Sequence, residues 1–334
     1  MFKSCIRKRV CVIGAKESEN QIKTLYDMGN LGGIVEEDLM YLSKLMNKYP
    51  NTNIYSCVQR ALMDPFDAYV VTSPPETHYK ICSLLINEGK NVFIENPIAH
   101  ISMDIIDLVK LSEKSGSKFM VGYPVIFHPA ARRMKDLLDK GVIGDLIYIQ
   151  SYRLTPDVLN SNENKFWPMV ENDISLLSYI TGKIPVSIKA SGGSYLKKKA
   201  FDTVNAVFDY EGTVNAYMFL TLVNTYNDYR VIAAGSKGTL VIQDLFKKAR
   251  ILKYDRKIKP VKEKFWIEDE VPTEISFQTS DPLRNALSYL LGHLDSRIDI
   301  CDAKHGYETI KLLEKIKEIL QSELNYQSNP QAVS

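Results

Sequence analysis

Two hydrophobic rhythms divide this chain, and the point where one replaces the other limits its fold more than any single residue does. Up to Gly122, short apolar runs alternate with stretches of helical periodicity, the pattern of strand-helix-strand units and a parallel sheet. Strands are expected over 10–13, 31–36, 68–71, 91–94 and 118–122, and helices over 20–28, 39–49, 76–88 and 103–115. Pro50 closes the second helix and Gly89 the third. Residues 72–75 read as a loop, because Pro74 and Pro75 each remove a backbone donor and fix φ. From about residue 145 the apolar positions recur with a period of two, over 146–152, 186–191, 203–210, 214–221, 229–234, 239–243 and 249–254. Turn signals such as Tyr210-Glu-Gly212 and Gly235-Ser-Lys-Gly238 separate several of these runs, which makes the second sheet mostly antiparallel. Helices over 282–296 and 303–323 finish the chain.

The expected architecture is an α/β parallel-sheet domain over 1–122 and an α+β domain with a large, mostly antiparallel sheet over 123–302. A closing helical segment over 303–334 packs back on the first domain. At 334 residues the chain has the length of two ordinary domains. With 42 basic against 40 acidic residues the net charge is +2, so no overall field draws the protein to nucleic acid or membrane. A small molecule or another protein is the expected partner.

Cys5, Cys11, Cys57, Cys82 and Cys301 are odd in number and never reach a paired metal spacing, which points to reduced core thiols and a cytoplasmic setting. His100, His128, His293 and His305 are scattered without metal-ligand spacing. The apolar run at 10–13 is far too short for a signal-peptide core or a membrane span, and no other stretch reaches spanning length.

Several phrases, in order and spacing, then carry a likeness. They are Asp67-Ala-Tyr-Val-Val-Thr-Ser-Pro-Pro-Glu-Thr-His78, Gly89-Lys-Asn-Val-Phe-Ile-Glu-Asn-Pro97, His128-Pro-Ala130 with Gly141-Val-Ile-Gly144, and Asp173-Ile-Ser-Leu-Leu-Ser-Tyr-Ile-Thr-Gly182. Gly192-Gly-Ser-Tyr-Leu196 and Asp302-Ala-Lys-His-Gly306 add to them. Together they resemble the Gfo/Idh/MocA family of nicotinamide-dependent oxidoreductases, and most of all its members that oxidise the 3-hydroxyl of UDP-N-acetyl amino sugars and their uronates. The resemblance implies a Rossmann-type first domain that binds NAD. It also implies a second domain that binds a nucleotide sugar and assembles through its sheet into a homodimer or homotetramer.

Against that pattern the chemistry-bearing positions are altered. The phosphate turn of this fold carries three glycines, so that backbone can bend and approach the pyrophosphate. Here Gly14 keeps its place, but Lys16 and Glu19 take the second and third positions. Glu17 and Glu19 set negative charge where a helix start would meet an anion. Glu36, 22 residues after Gly14, stands where an acidic residue receives the adenosine ribose, which favours NAD over NADP. Thr72, Ser73, Pro74, Pro75 and His78 match the loop along the nicotinamide.

The family's Glu-Lys-Pro, whose lysine aids proton transfer, reads Glu95-Asn96-Pro97 here. Its aspartate and histidine further on are replaced by Pro168 and Asn172, leaving Asp173, whose plain role is to cap a helix over 174–181. Tyr123-Pro124 replaces a His-Thr pair, and 222–230 keeps only Arg230 of the subgroup's polar residues. An amide hydrogen-bonds a hydroxyl but cannot carry a proton near neutral pH. Tyr123, Glu171 and Asp173 remain as groups that could relay one. The run Lys197-Lys-Lys199 reads as a solvated hairpin edge rather than a diphosphate contact. Two functions therefore stand: an NAD-dependent sugar dehydrogenase with a relocated acid/base, or a relative that keeps the fold and has lost turnover. The selective loss of acid/base and phosphate-binding residues favours the second.

Overall fold

The computed structural model describes residues 7–97, 102–156, 166–196, 200–212, 214–245, 247–256, 258–261, 264–267 and 271–328. Cys5, His100 and the 197–199 lysine run lie outside them. The described residues fall into two compact units, one of 1–124 with 281–311 and one of 125–280 with 312–334.

The first unit is a six-stranded sheet in the order β3-β2-β1-β4-β5-β6, parallel throughout. Its strands are β1 (Val10–Ile13), β2 (Leu31–Val35), β3 (Asn53–Tyr55), β4 (Ala68–Val71), β5 (Val92–Glu95) and β6 (Phe119–Gly122). β1, β4 and β6 are buried along their whole length, as strands of a parallel sheet are when helices cover it. The connecting helices are α1 (Glu19–Met28), α2 (Leu39–Lys48), α3 (Val58–Ala61), α4 (Pro75–Asn87) and α5 (Ser102–Ser115). Strand order reverses between β1 and β4, so the crevice where such sheets receive ligands opens beyond the carboxyl ends of these strands. Pro75 starts α4 instead of ending the loop before it, since the first helical position needs no N–H.

The second unit carries eight strands in the order β16-β13-β12-β11-β7-β10-β9-β8. It begins with α6 (Pro129–Asp139), β7 (Leu146–Leu154) and α7 (Phe166–Thr181), followed by β8 (Ser187–Gly193), β9 (Thr203–Asp209) and β10 (Asn215–Thr221). Then come β11 (Asp228–Gly235), β12 (Gly238–Gln243), β13 (Arg250–Asp255), the hairpin of β14 (Ile258–Val261) and β15 (Lys264–Ile267), and β16 (Thr273–Ile275). Every pair in the large sheet is antiparallel except β7 with β10, which are parallel because α7 and the β8–β9 pair intervene and give the chain room to cross over.

Two features correct the sequence reading. The helix expected to start at 174 starts at Phe166, with Pro168 in its first turn, where a proline costs no hydrogen bond. Asp173 is therefore mid-helix and caps nothing. Near the end, α8 (Pro282–Gly292) packs on α1, and Asp302 bridges Met120 in β6, so 281–302 cluster with the first unit. The sequence reading had carried that stretch with the second. The last helix, α9 (Ala303–Ser328), contributes its start to the first unit and its remainder to the second.

Candidate functional site

In the first unit the turn after β1 is pinned from both sides. Gly14 adopts φ 94°, and a Cβ on it would lie 2.4 Å from Ser73 N, so no other residue fits. The Thr72 hydroxyl, shared between the carbonyls of Ile13 and Gly14 at 3.0 Å each, ties β4 to this turn. Ser18, fully buried, donates to the Gly14 carbonyl at 2.8 Å.

Beyond Gly14 the chain turns its polar groups on itself. The Lys16 N–H donates to Glu36 Oε2 at 3.2 Å and the Asp38 N–H to Glu36 Oε1 at 3.1 Å. The ribose-position carboxylate thus already accepts two backbone donors. The Lys16 ammonium lies 2.6 Å from Asp38 Oδ2, a contact that raises the amine and lowers the acid. Glu19, at the first position of α1, is paired with Lys48.

At the ends of β4 and β5 the sequence-predicted residues do come together. His78 is 2% exposed, with Nε2 2.6 Å from the Ser73 carbonyl and Nδ1 3.0 Å from that of Pro97. Carbonyls only accept, so the one N–H of a neutral ring donates to one of the two turns, and donation to both needs the imidazolium. The Ser73 hydroxyl meets that of Thr77 at 2.7 Å. Glu95 Oε1 accepts from Gln21 Nε2 at 2.6 Å, while Glu95 Oε2 and Asn96 Nδ2 are buried without a partner among the described residues. Glu95 Oε2 rests against Gly122, where a Cβ would come within 2.4 Å of it. Burial pushes the Glu95 carboxyl up to about 7, with the Gln21 bond opposing. Tyr123 is fully buried after β6, edge-on to His305 at 5.8 Å, and burial lowers that imidazole to about 4.

In the second unit, Asn172 spends its amide nitrogen on the Pro168 carbonyl one turn back, at 2.8 Å. Asp173, fully buried, accepts from Arg153 Nη2 at 2.5 Å, from the Tyr229 hydroxyl at 2.7 Å and from the Ser151 hydroxyl at 3.1 Å. The Arg153 guanidinium also lies 4.1 Å from the Tyr229 ring centroid. Burial pushes the Asp173 carboxyl up while Arg153 and the hydroxyls oppose it. Because a guanidinium keeps its proton, the pair holds as two charges. Neither oxygen of Asp173 is open to a ligand proton. Glu171 is 1% exposed, and it helps offset the burial that lowers the Lys317 ammonium.

Sequence reasoning missed Asp38, Gln21, Arg153 and Tyr229. Arg153 was legible as a charged residue inside an apolar strand run, which demands a buried counter-ion; the others carry no local signal. For a dinucleotide the fit is divided. Gly14 and the unpartnered atoms at 95 and 96 suit a ligand, whereas the N–H of residue 16 is turned to Glu36 and the turn is acidic, so these residues do not fit the diphosphate. Among the described residues no three His, Cys, Asp or Glu side chains gather as a metal site, and no helix is long and apolar enough to cross a membrane.

Comparison with known proteins places these units. Residues 8–123 match the model of an oxidoreductase family with an NAD-binding Rossmann fold (GFO/IDH/MocA), and residues 131–241 match the C-terminal domain of the same family. An uncharacterized oxidoreductase of Streptococcus pneumoniae serotype 4 is 23% identical over 72% of this chain and 66% of its own length. Inositol 2-dehydrogenase of Rhizobium meliloti is 24% identical over 53% of this chain and 57% of its own length. The chain thus spans less than two thirds of either relative. Among solved structures, UDP-N-acetylglucosamine 3-dehydrogenase GnnA from Acidithiobacillus ferrooxidans superposes with a TM-score of 0.82 at 17% identity, covering 94% of this chain and 97% of that one. An oxidoreductase from Agrobacterium radiobacter in complex with NAD+, L-tartaric acid and magnesium superposes with a TM-score of 0.77 at 14% identity, covering 94% and 96%. At these identities the likeness is one of fold.

Proposed function

This chain belongs to the GFO/IDH/MocA oxidoreductase family, and from that membership we propose that it keeps the family's sugar-binding scaffold while having lost hydride-transfer turnover. The observation that carries the reading is the chemistry at 96 and 172. Both are amides, Asn172 has its nitrogen committed to Pro168, and the neighbouring Asp173 is consumed by Arg153, Tyr229 and Ser151. Alcohol oxidation needs a group to take the hydroxyl proton, and losing one general base costs about 100- to 10,000-fold in rate. The self-bonded turn at 16, 36 and 38 supports weakened NAD affinity on the same reading. The free thiols of Cys11, Cys57 and Cys82 agree with a cytoplasmic setting, and self-association through the second sheet, as a dimer or tetramer, goes with the family.

One observation favours a second reading. Glu95 is a carboxyl titrating near neutrality with an unpartnered oxygen, the property required of a relocated general base. Restoration separates the two. The double variant Asn96→Lys with Asn172→His is expected to form NADH from NAD and UDP-N-acetylglucosamine at least tenfold faster than the native chain. If the native chain already turns over and Glu95→Gln abolishes it, the second reading holds instead.

A further inference from the structure

In the first unit a cavity of about 440 Å³ opens where α5 ends, β6 begins and the chain approaches α9. It lies at the amino end of β6, away from the crevice beyond the carboxyl ends of the strands. Phe119 and Ile298, both buried, give it an apolar inner surface, and the buried Ser112 stands beside them. Its rim is charged, with Glu113 near the end of α5, Lys118 just before β6 and Lys304 in the first turn of α9.

We infer that this cavity binds a free α-amino acid with an apolar side chain, its carboxylate held by Lys118 and Lys304 and its ammonium by Glu113 and Ser112. The inference stands apart from the proposed loss of turnover. Pairing is the first argument. Among the described residues the side chains of Glu113, Lys118 and Lys304 make no ion pair or hydrogen bond, so all three charges are open to a ligand. The other charged groups of the lining are engaged. Arg297 Nε lies 2.8 Å from Asp299 Oδ1, and Asp302 Oδ1 accepts from the His305 N–H at 2.8 Å, capping α9. Open charges of both signs suit a zwitterion, whereas a phosphate or a simple amine would meet a like charge on the rim.

Donor and acceptor chemistry is the second argument. The Ser112 hydroxyl donates to the Val109 carbonyl at 2.7 Å, which leaves its oxygen able to accept from an ammonium beside Glu113. A carboxylate accepts from both lysines, and α9, which begins at Ala303 in the lining, adds the positive end of a long helix to them. Size and surface are the third. Small-molecule sites run from about 300 to 1,000 Å³, so this cavity, toward the lower end, has room for one amino acid. Phe119, Ile298 and Val109 offer apolar surface to its side chain, and burying that side chain favours binding in proportion to the area removed from water.

Calorimetric titration of the full chain tests this with L-leucine and L-phenylalanine, each beside two analogues that lack one charge. The analogues without the ammonium are 4-methylpentanoate and 3-phenylpropionate, and those without the carboxylate are 3-methylbutylamine and phenethylamine. At least one of the two amino acids is expected to saturate, with both of its analogues about threefold or more weaker, the contribution of a partly exposed ion pair. Glu113→Gln should erase the preference for the amino acid over its acid analogue. Lys118→Gln with Lys304→Gln should erase the preference over its amine analogue, and Lys44→Gln on α2 should change neither. The inference is overturned if neither amino acid saturates, if an analogue binds the native chain as tightly as its parent, if either preference survives its variant, or if Lys44→Gln acts like the lysine pair. None of those results touches the loss of turnover, which fails only if NADH is formed.

Discussion

Glu95 shows how a single residue can be legible in sequence and still hold a surprise. Its place in the Glu-Asn-Pro phrase marked it for the ligand, but its shift up to about 7 comes from burial among residues far off in the chain, beside Gly122 of β6 and against the opposing hydrogen bond from Gln21 of α1. The folded carboxyl holds its proton up to about 7, against an ordinary value of 4.5, so the folded state binds the proton more tightly than the unfolded one. Stability contributed by this group is therefore present at low pH and is lost as pH rises through 4.5 to about 7. Removing the charge with Glu95→Gln is expected to stabilise the protein by about 2 kcal/mol near pH 8 and by little near pH 5, read from urea melts at the two values. An equal effect at both would show that the carboxyl is not perturbed. At 96 and 172 the proposed loss of turnover rests on residue type, because an amide has no transferable proton wherever it is placed. What sequence did not carry is how Glu36, Asp38 and Lys16 bond to one another, since that depends on the path of two loops.

Among the elements, α7 departs furthest from expectation. A proline and a string of apolar residues hid its first two turns, and Asp173 looked like a cap because its helical partners upstream were not recognised. In the fold that carboxylate faces inward to Arg153 on β7 and Tyr229 on β11, binding the helix to two strands. Removing one member of a buried pair strands the other charge, so Asp173→Ala is expected to cost about 3–5 kcal/mol in chemical denaturation. The double variant Arg153→Met with Asp173→Leu should recover most of that loss. A single-variant cost below about 1 kcal/mol would contradict the ion pair. Short elements escaped the sequence for a plainer reason: β3 is a three-residue edge strand with little burial, and period-two patterning needs more residues than that to show.

For the whole molecule, the two rhythms of the sequence were enough for a parallel sheet followed by a mostly antiparallel one, because burial on both faces and burial on one face leave different hydrophobic periods. The division into units was not legible, since the chain's return over 281–311 depends on α8 packing on α1. On the second sheet, Tyr148, Tyr152, Tyr217 and Phe219 share one face, with Tyr148 and Tyr217 each more than a third exposed and Tyr152 stacked on Phe219 at 5.5 Å. Aromatic surface of this kind is what interfaces bury. On the proposed self-association through this sheet, Tyr217→Asp is expected to lower the sedimenting mass to that of one chain, and an unchanged mass would contradict it. The most direct measurement is steady-state NADH formation by the native protein with saturating NAD and, in turn, an uncharged sugar, UDP-N-acetylglucosamine and its uronate. The account predicts no NADH above the enzyme-free rate with any of them, and sustained formation with even one would contradict it.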